Sequence, residues 1–114
     1  MSASIVLLIL GMSTAQVTRG ASDSAEFSRA VKHQTSLING VRLHYVTGGK
    51  GPKLVLLHGL PASWYEWRRI LPTSAERYTV IAPDLRGLGD SSKPAGGYDA
   101  HTAAEDIHQL VRSL

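Results

Sequence analysis

The sequence predicts an α/β fold with a parallel sheet, because two short apolar runs each end in a loop rich in Gly and Pro. Residues 54–57 lead into His58-Gly59-Leu60-Pro61, and residues 78–82 lead into the loop of residues 83–91. Apolar runs without alternation are typical of strands that are covered on both faces. In such sheets the functional groups gather beyond the carboxyl ends of the strands. These two loops are therefore the candidate site.

Residues 35–46 predict a β-hairpin, the first element of the fold. Asn39-Gly40 separates residues 35–38 from residues 41–46, and Asn-Gly favours the positive φ angles of a type I′ turn. In the second arm two sets of residues alternate: Val41, Leu43 and Tyr45 with Arg42, His44 and Val46. This alternation predicts one buried face and one polar face.

A helix is predicted after each of the two buried strands. Residues 62–70 follow the first strand and carry apolar residues at helical spacing, namely Trp64, Trp67, Ile70 and Leu71. Pro72 is expected to end or disturb that helix. The second helix starts near Thr102 with a capping box to Glu105. Its buried stripe is Ala103, Ile107, Leu110, Val111 and Leu114. The predicted order is a β-hairpin followed by β-α-β-α, with a right-handed parallel crossover.

Residues 1–34 differ in composition from the rest, and two interpretations stay open. Residues 5–10 are an aliphatic block, far too short for a bilayer span of roughly 20 apolar residues. Together with Ser13 and Ala15 they resemble a secretory signal peptide cut between Ala15 and Gln16, although no Lys or Arg precedes the block. The alternative is an arbitrary start. We divide the chain into residues 1–34, signal peptide and flexible linker, and residues 35–114, a partial domain. A real signal predicts a secreted or periplasmic protein, and its absence a cytoplasmic one.

Composition excludes several kinds of site. The chain of 114 residues carries a formal charge of +3 with its basic residues scattered, so no nucleic-acid surface is predicted. It contains no Cys, which excludes disulfides and thiolate metal sites. Four histidines lack partners at metal-ligand spacing and are expected on the surface: His33, His44, His101 and His108. We predict neither a metal nor a cofactor.

Three motifs carry a resemblance to a known family. They are His58-Gly59-Leu60-Pro61, the run Ser-Trp-Tyr-Glu-Trp-Arg at residues 63–68, and residues 80–94 with their Asp-x-Arg-Gly-x-Gly loop. Residues 97–99 and 104–107 extend the match. Residues 35–114 thus resemble the N-terminal part of an α/β-hydrolase-fold enzyme. The resemblance is to the branch of epoxide hydrolases and haloalkane or haloacetate dehalogenases, with epoxide hydrolase as the first choice.

The resemblance implies roles for the first loop. Leu60 N–H is the expected second donor of an oxyanion hole, Gly59 allows close backbone approach, and a cis bond is expected before Pro61. The plainer interpretation is a tight strand-to-helix turn. His58 is expected to brace the loop rather than act as the base, which in this fold follows the nucleophile and the acid.

The other site residues have two interpretations each. Asp84 and Arg86 are expected to be scaffold rather than catalytic, with Asp84 accepting backbone N–H bonds. Trp64 is expected to pack in the core, to line a substrate pocket, or to do some of both.

The nucleophile expected of this family is not found among the 114 residues. Gly11-Met12-Ser13-Thr14-Ala15 is a near match to Gly-x-Ser-x-Gly, but it precedes the first loop and no amphipathic helix follows it. The elbow, the acid and the catalytic His are expected beyond Leu114, so the chain reads as truncated and by itself inactive. Lacking the next family strand, residues 54–57 are expected to form a bare apolar sheet edge.

The predicted function is thus that of a hydrolase fragment acting on a small-molecule substrate in its intact parent. The parent is expected to be an epoxide hydrolase with an Asp nucleophile, an ester intermediate and a His-activated water. The alternatives are a haloacetate dehalogenase, a serine esterase, or a short non-catalytic binding protein.

Overall fold

The computed structural model describes residues 29–114 and the strand Ile5–Ile9, which together form one five-stranded sheet. The strands are β1 (Ile5–Ile9), β2 (Lys32–Ile38), β3 (Val41–Gly48), β4 (Lys53–Leu57) and β5 (Thr79–Pro83). Their spatial order is β1-β4-β5-β3-β2. Strands β1, β4 and β5 run parallel, and β3 and β2 continue the sheet in antiparallel pairing. A 3₁₀ helix (Trp64–Trp67) and two α-helices, α1 (Leu71–Ser74) and α2 (Ala100–Ser113), complete the described elements.

The predicted hairpin is confirmed. Ile38 pairs with Val41, and the two turn residues have positive φ angles of 49° at Asn39 and 78° at Gly40, as a type I′ turn requires. Strand β2 begins at Lys32, three residues before the predicted arm.

The core occupies both faces of the sheet. One cluster joins the hairpin, β4, β5 and α2 through Ile38, Val41, Leu43, Tyr45, Val55, Ile81, Ile107, Leu110 and Val111. The other cluster, which lies under the 3₁₀ helix and α1, consists of Val31, Val46, Leu54, Leu56, Trp67, Leu71, Val80 and Ala82. Burial on both faces confirms the expectation for β4 and β5.

The prediction of a polar outer face on β3 is wrong for the second half of that strand. His44 and Val46 are both buried. The reason is that the second cluster covers this face of the sheet, so the alternation in β3 does not separate core from solvent there.

The predicted helix at residues 62–70 is wrong in extent. Only Trp64–Trp67 forms a 3₁₀ turn, capped by Ser63 Oγ, which accepts the Tyr65 N–H at 3.3 Å. Pro72 lies in the first turn of α1, where a missing N–H costs no intrahelical bond. It therefore opens a second helix instead of ending a long first one. Of the predicted stripe, Trp67 and Leu71 are buried, whereas Ile70 is 40% exposed.

The last helix begins two residues earlier than predicted and uses another cap. Asp99 is the N-cap: its carboxylate accepts the Thr102 N–H at 2.9 Å and the Thr102 hydroxyl at 2.8 Å. The prediction of a capping box from Thr102 to Glu105 is therefore wrong. The centre of the predicted stripe is confirmed by the burial of Ile107, Leu110 and Val111.

The first strand of the sheet was not predicted. Strand β1 pairs with β4 in parallel along its whole length, from Ile5 opposite Lys53 to Ile9 opposite Leu57. The prediction that β4 is a bare edge is therefore wrong. The predicted cut between Ala15 and Gln16 and the near-match serine, Ser13, lie outside the described residues. No helix among the described residues has the length and apolar character that a bilayer crossing requires.

Candidate active-site edge

The two predicted loops meet at one edge of the sheet. Because β4 and β5 are adjacent and parallel, the loops that follow them leave the sheet side by side. The Leu85 backbone N–H, just past β5, donates to Nε2 of His58, just past β4, at 3.1 Å. The convergence expected from the sequence is thus confirmed.

His58 acts as a brace between these loops. Its Nε2 accepts from Leu85, so the ring proton resides on Nδ1, which donates to the Gly59 carbonyl at 2.7 Å. The side chain is only 3% exposed. Both ring nitrogens are hydrogen-bonded to backbone groups, and the expectation that His58 is not the catalytic base stays a prediction.

Residues 59–61, which follow His58, have an unusual backbone conformation. The Leu60-Pro61 peptide bond is cis, as the resemblance implied. The Gly59 N–H donates to the Glu66 carboxylate at 3.1 Å. The Leu60 side chain is 77% exposed, and no hydrogen bond joins its amide to a residue of the described chain. The Leu60 N–H is the expected second donor of the oxyanion hole.

Asp84 is the centre of the second loop. Its carboxylate is fully buried and accepts three hydrogen bonds, from the Trp64 N–H at 2.7 Å, the Asp90 N–H at 2.9 Å and His44 Nδ1 at 2.8 Å. Three donors satisfy the hydrogen-bonding capacity of this buried side chain. The backbone N–H bonds expected for Asp84 are confirmed, and its contacts join the 3₁₀ helix, β3 and its own loop.

His44 is a site residue that the sequence reasoning missed. It is 4% exposed, which contradicts the expected surface position. Its Nδ1 donates to Asp84, its Nε2 lies within hydrogen-bonding distance of His33 Nδ1, at 2.9 Å, and the two rings stack with centroids 5.1 Å apart. His33 itself is exposed, as expected. No local signal could identify His44, because its partner Asp84 is brought near only by the pairing of β3 with β5.

Arg86 is held by a carboxylate that was also missed. Its Nε and one Nη donate to the two oxygens of Asp106 in α2, at 2.7 and 2.8 Å, in a buried bidentate pair. This hydrogen bond, partly opposed by burial, raises the pKa of Arg86 above its ordinary value. Asn39 Nδ2 also donates to Asp106, at 2.9 Å. The pair links the loop after β5 to α2, and the scaffold role expected of Arg86 stays a prediction.

Trp64 packs beside the histidines. Its ring is half-buried against the second core cluster and meets His33 edge-on, with centroids 5.1 Å apart. This position agrees with the expected packing role, and lining of a substrate pocket stays a prediction.

Three possible cation ligands come together here. The ligand atoms of His44, Asp84 and Asp90 lie within 4.8 Å of one another. His44 and the Asp90 backbone both donate to the same Asp84 oxygen, so the closeness of these residues is explained by bracing of the loop. We assign no metal to them.

A surface groove lies elsewhere and contains none of the predicted site residues. It is lined by Arg29, Ala30, Gly49, Pro72, Ala75 and Glu76. Gly49 follows β3, and the end of β3 pairs with the start of β5. The groove therefore lies near the amino-terminal ends of the parallel strands, whereas His58 and Asp84 follow their carboxyl ends. The position of the two loops, not this groove, defines the candidate site.

Comparison with known proteins agrees with this arrangement. The family described as alpha/beta hydrolase fold matches residues 52–114. The chain is 59% identical over 87 residues to a soluble epoxide hydrolase from a Corynebacterium species, covering 76% of this chain and 30% of that protein. It is 43% identical over 82 residues to a fluoroacetate dehalogenase from a Burkholderia species, covering 68% of this chain and 27% of that protein.

Solved structures give the same result. The structure of the epoxide hydrolase CorEH without ligand superposes with a TM-score of 0.71 at 59% identity, covering 73% of this chain and 29% of that one. The chain therefore spans less than a third of the length of the relatives that it matches. With the two loops at one sheet edge and these matches, the chain belongs to the α/β-hydrolase fold family.

Proposed function

We propose that this chain is part of an epoxide hydrolase, in which residues 58–61 form the loop that stabilises an oxyanion. The identity of 59% to a soluble epoxide hydrolase favours epoxides as the substrate class. The Leu60 amide carries the assignment of the loop. It follows a central strand, it has no partner in the described chain, and the residue before it, Gly59, is hydrogen-bonded at both its carbonyl and its amide.

The chemistry explains why such an amide is useful. In the proposed reaction an Asp carboxylate attacks an epoxide carbon, the ring C–O bond breaks, and the released oxygen takes a proton. A water that gives its proton to His then attacks the carbonyl carbon of this ester, and the bond from that carbon to the alkyl oxygen breaks, which releases the diol and restores the Asp carboxylate. Negative charge develops on the carbonyl oxygen in this second step, and a preorganised N–H stabilises it. The nucleophile, the acid and the His belong to the proposed parent protein.

The brace around Leu60 suits this role. His58 connects the first loop to Leu85, and Glu66 holds the Gly59 amide, so the donor that follows is positioned before any substrate binds. A donor held in advance costs no reorganisation when charge appears, which is the physical basis of oxyanion stabilisation.

The test replaces the matching segment of the Corynebacterium epoxide hydrolase with the corresponding residues of this chain, and measures diol formation from an epoxide. Leu60→Pro in this chimera removes the N–H and is expected to lower kcat by about 10²–10³-fold. Leu60→Ala keeps the N–H and changes only an exposed side chain, so it is the matched control.

The comparison of these two variants decides the loop assignment. A melting temperature measured for each separates loss of the donor from loss of the fold. A folded Leu60→Pro chimera with the kcat of the control would show that the amide has no part in the reaction.

A dehalogenase parent is the second candidate, favoured by the 43% identity to a fluoroacetate dehalogenase. The coding sequence beyond codon 114 distinguishes the two. An epoxide hydrolase predicts a strand followed by Gly-x-Asp-x-Gly, often with Trp after the Asp, whereas Arg near that Asp indicates a haloacetate dehalogenase. Gly-x-Ser-x-Gly would indicate a serine esterase and contradict both. Diol formation and fluoride release from the complete protein then identify the substrate.

A further inference from the structure

The turn of the hairpin contains a reactive dipeptide that the candidate site does not use. Asn39 is the only Asn in the chain, and Gly40 follows it. An Asn side chain loses its amide when the backbone nitrogen of the next residue attacks its Cγ, and a glycine at that next position offers the least steric hindrance. Both residues are exposed, and a Cβ placed on Gly40 would meet no atom within 4 Å. Sequence and exposure therefore favour deamidation at Asn39.

One contact of the Asn39 side chain opposes this reaction. Its Nδ2 donates to Oδ1 of Asp106 in α2 at 2.9 Å, and we call this bond the Asn39 clamp. Asp106 is 1% exposed and is itself held by its bidentate pair with Arg86. Because deamidation expels the same nitrogen that donates to Asp106, the clamp has to open before the reaction is complete. The structure thus places a restraint directly on the leaving group.

We propose that Asn39 is a site of spontaneous deamidation that the clamp restrains, and that its conversion releases the hairpin turn from α2. The Gly40 nitrogen gives its proton to solvent and bonds to Asn39 Cγ. The bond from Cγ to Nδ2 breaks, and the nitrogen takes a proton from solvent and leaves as ammonia. Water then opens the cyclic imide at one of its two carbonyls, which gives either an ordinary aspartate or an isoaspartate.

Both products remove the clamp permanently. A carboxylate has no hydrogen to donate, and it meets Asp106 with a charge of the same sign. The Arg86 guanidinium offers little compensation, because its Nε and both Nη atoms already donate to Asp106 and to the Gly96 carbonyl. Isoaspartate also adds a methylene to the backbone of a two-residue turn. Since Arg86 lies in the loop after β5, the change reaches the candidate site through Asp106.

The rate of deamidation tests the restraint. The full chain is incubated at mildly alkaline pH and digested with trypsin, which cleaves after Lys32 and Arg42 and releases residues 33–42 with Asn39 as their single Asn. Mass spectrometry of this peptide detects the replacement of NH₂ by OH, and chromatography separates aspartate from isoaspartate. A hydrogen bond to a charged group is strong, so the folded protein is expected to react about tenfold or more slowly than protein unfolded in urea.

A double variant tests whether the clamp causes this protection. Arg86→Met with Asp106→Leu removes the acceptor without leaving a buried charge unpaired. The folded double variant is expected to deamidate about tenfold faster than the folded wild type. Gly89→Ala is the matched control, because a Cβ there would lie 2.2 Å from Asp84 Oδ2 and lower the stability while the clamp stays intact. Its folded rate should equal that of the wild type.

Two substitutions at position 39 test the consequence. Asn39→Asp reproduces one product, whereas Asn39→Gly removes the donor without adding a charge and tolerates the positive φ of the turn. The urea midpoint of Asn39→Asp is expected to be lower than that of Asn39→Gly. The difference should narrow at high salt, because Asn39 is exposed and salt screens the repulsion from Asp106.

Three results would overturn the proposal. The first is equal rates in the folded and unfolded wild type. The second is a Gly89→Ala protein that reacts as fast as the double variant, since protection would then come from overall stability. The third is a urea midpoint for Asn39→Asp that is no lower than that for Asn39→Gly. If the double variant unfolds, Gly89→Ala still decides: a rate equal to wild type supports local opening of the clamp, and a faster rate shows that only global unfolding frees Asn39.

Discussion

At the scale of single residues, the carboxylate of Asp84 connects the segments of the candidate site by hydrogen bonds. Asp84 is buried, accepts three hydrogen bonds, and through its own carbonyl also accepts the Ser91 hydroxyl at 2.7 Å. The sequence identified Asp84 as a loop scaffold, because an Asp directly after a strand commonly accepts backbone N–H groups. It could not identify His44, whose relation to Asp84 depends on strand pairing.

A substitution at Gly89 tests how closely the surrounding loop packs against the Asp84 carboxylate. It has a φ of +53°, and a Cβ placed there would lie 2.2 Å from Asp84 Oδ2. We expect Gly89→Ala to destabilise the protein by about 1–3 kcal/mol, because both the backbone conformation and the buried carboxylate oppose a side chain. Urea denaturation followed by Trp fluorescence measures the change.

Gly96 provides the control for that substitution in the same loop. A Cβ at Gly96 would meet no atom within 4 Å, and no positive φ constrains it. Gly96→Ala is expected to change stability by less than about 0.5 kcal/mol. Similar losses for the two variants would show that the Asp84 enclosure contributes nothing specific.

At the scale of elements, prediction succeeded where a signal was local and failed where two local signals competed. The Asn39-Gly40 hairpin needed only its turn residues and was confirmed. The long helix at residues 62–70 was wrong because apolar spacing cannot tell a 3₁₀ turn plus a second helix from one continuous helix. At the start of α2, Asp99 and Thr102 are both good caps, and only the observed bonds choose Asp99.

The cap of α2 is expected to respond to pH. The backbone hydrogen bond from Thr102, and then that from its hydroxyl, lower the pKa of Asp99 below its ordinary value. The stability that the ionised cap contributes is therefore fully present above the ordinary Asp pKa. It is lost as the pH falls through the lower, folded-state pKa. We expect the first turn of α2 to fray in that acidic range.

Chemical shifts of the Thr102 and Ala103 amides, measured across an acid titration, report this fraying. Asp99→Asn keeps a capping side chain that does not titrate, so its amide shifts should lose the Asp99-dependent step. A step of the same size in the Asn variant would assign the titration to another group.

At the scale of the whole molecule, Asp106 ties together three segments that are far apart in sequence. It accepts from Arg86 in the loop after β5 and from Asn39 in the hairpin turn, while its own backbone lies in α2. The helix is thus held to the sheet by polar bonds as well as by the apolar cluster. An Asp beside Ile107 on an amphipathic helix gives no sign of this role in the sequence.

Removing one side of this buried pair should be more harmful than removing both. We expect Asp106→Ala to cost about 3–5 kcal/mol, because the Arg86 guanidinium would remain buried without its carboxylate. Arg86→Met combined with Asp106→Leu should cost less than the single change. Chemical denaturation of the three proteins provides the comparison, and a double variant less stable than Asp106→Ala would contradict this account.

The sequence by itself determined the local features: the hairpin turn, the two buried strands and the two loops that follow them. These depend on spacing and turn chemistry within a few residues, which a linear pattern contains. The tertiary structure alone decided the pairing of β1 with β4, the burial of His44, and the partnership of Arg86 with Asp106. Each of these joins residues that are distant in sequence, and such contacts follow from strand order and packing, which no local pattern specifies.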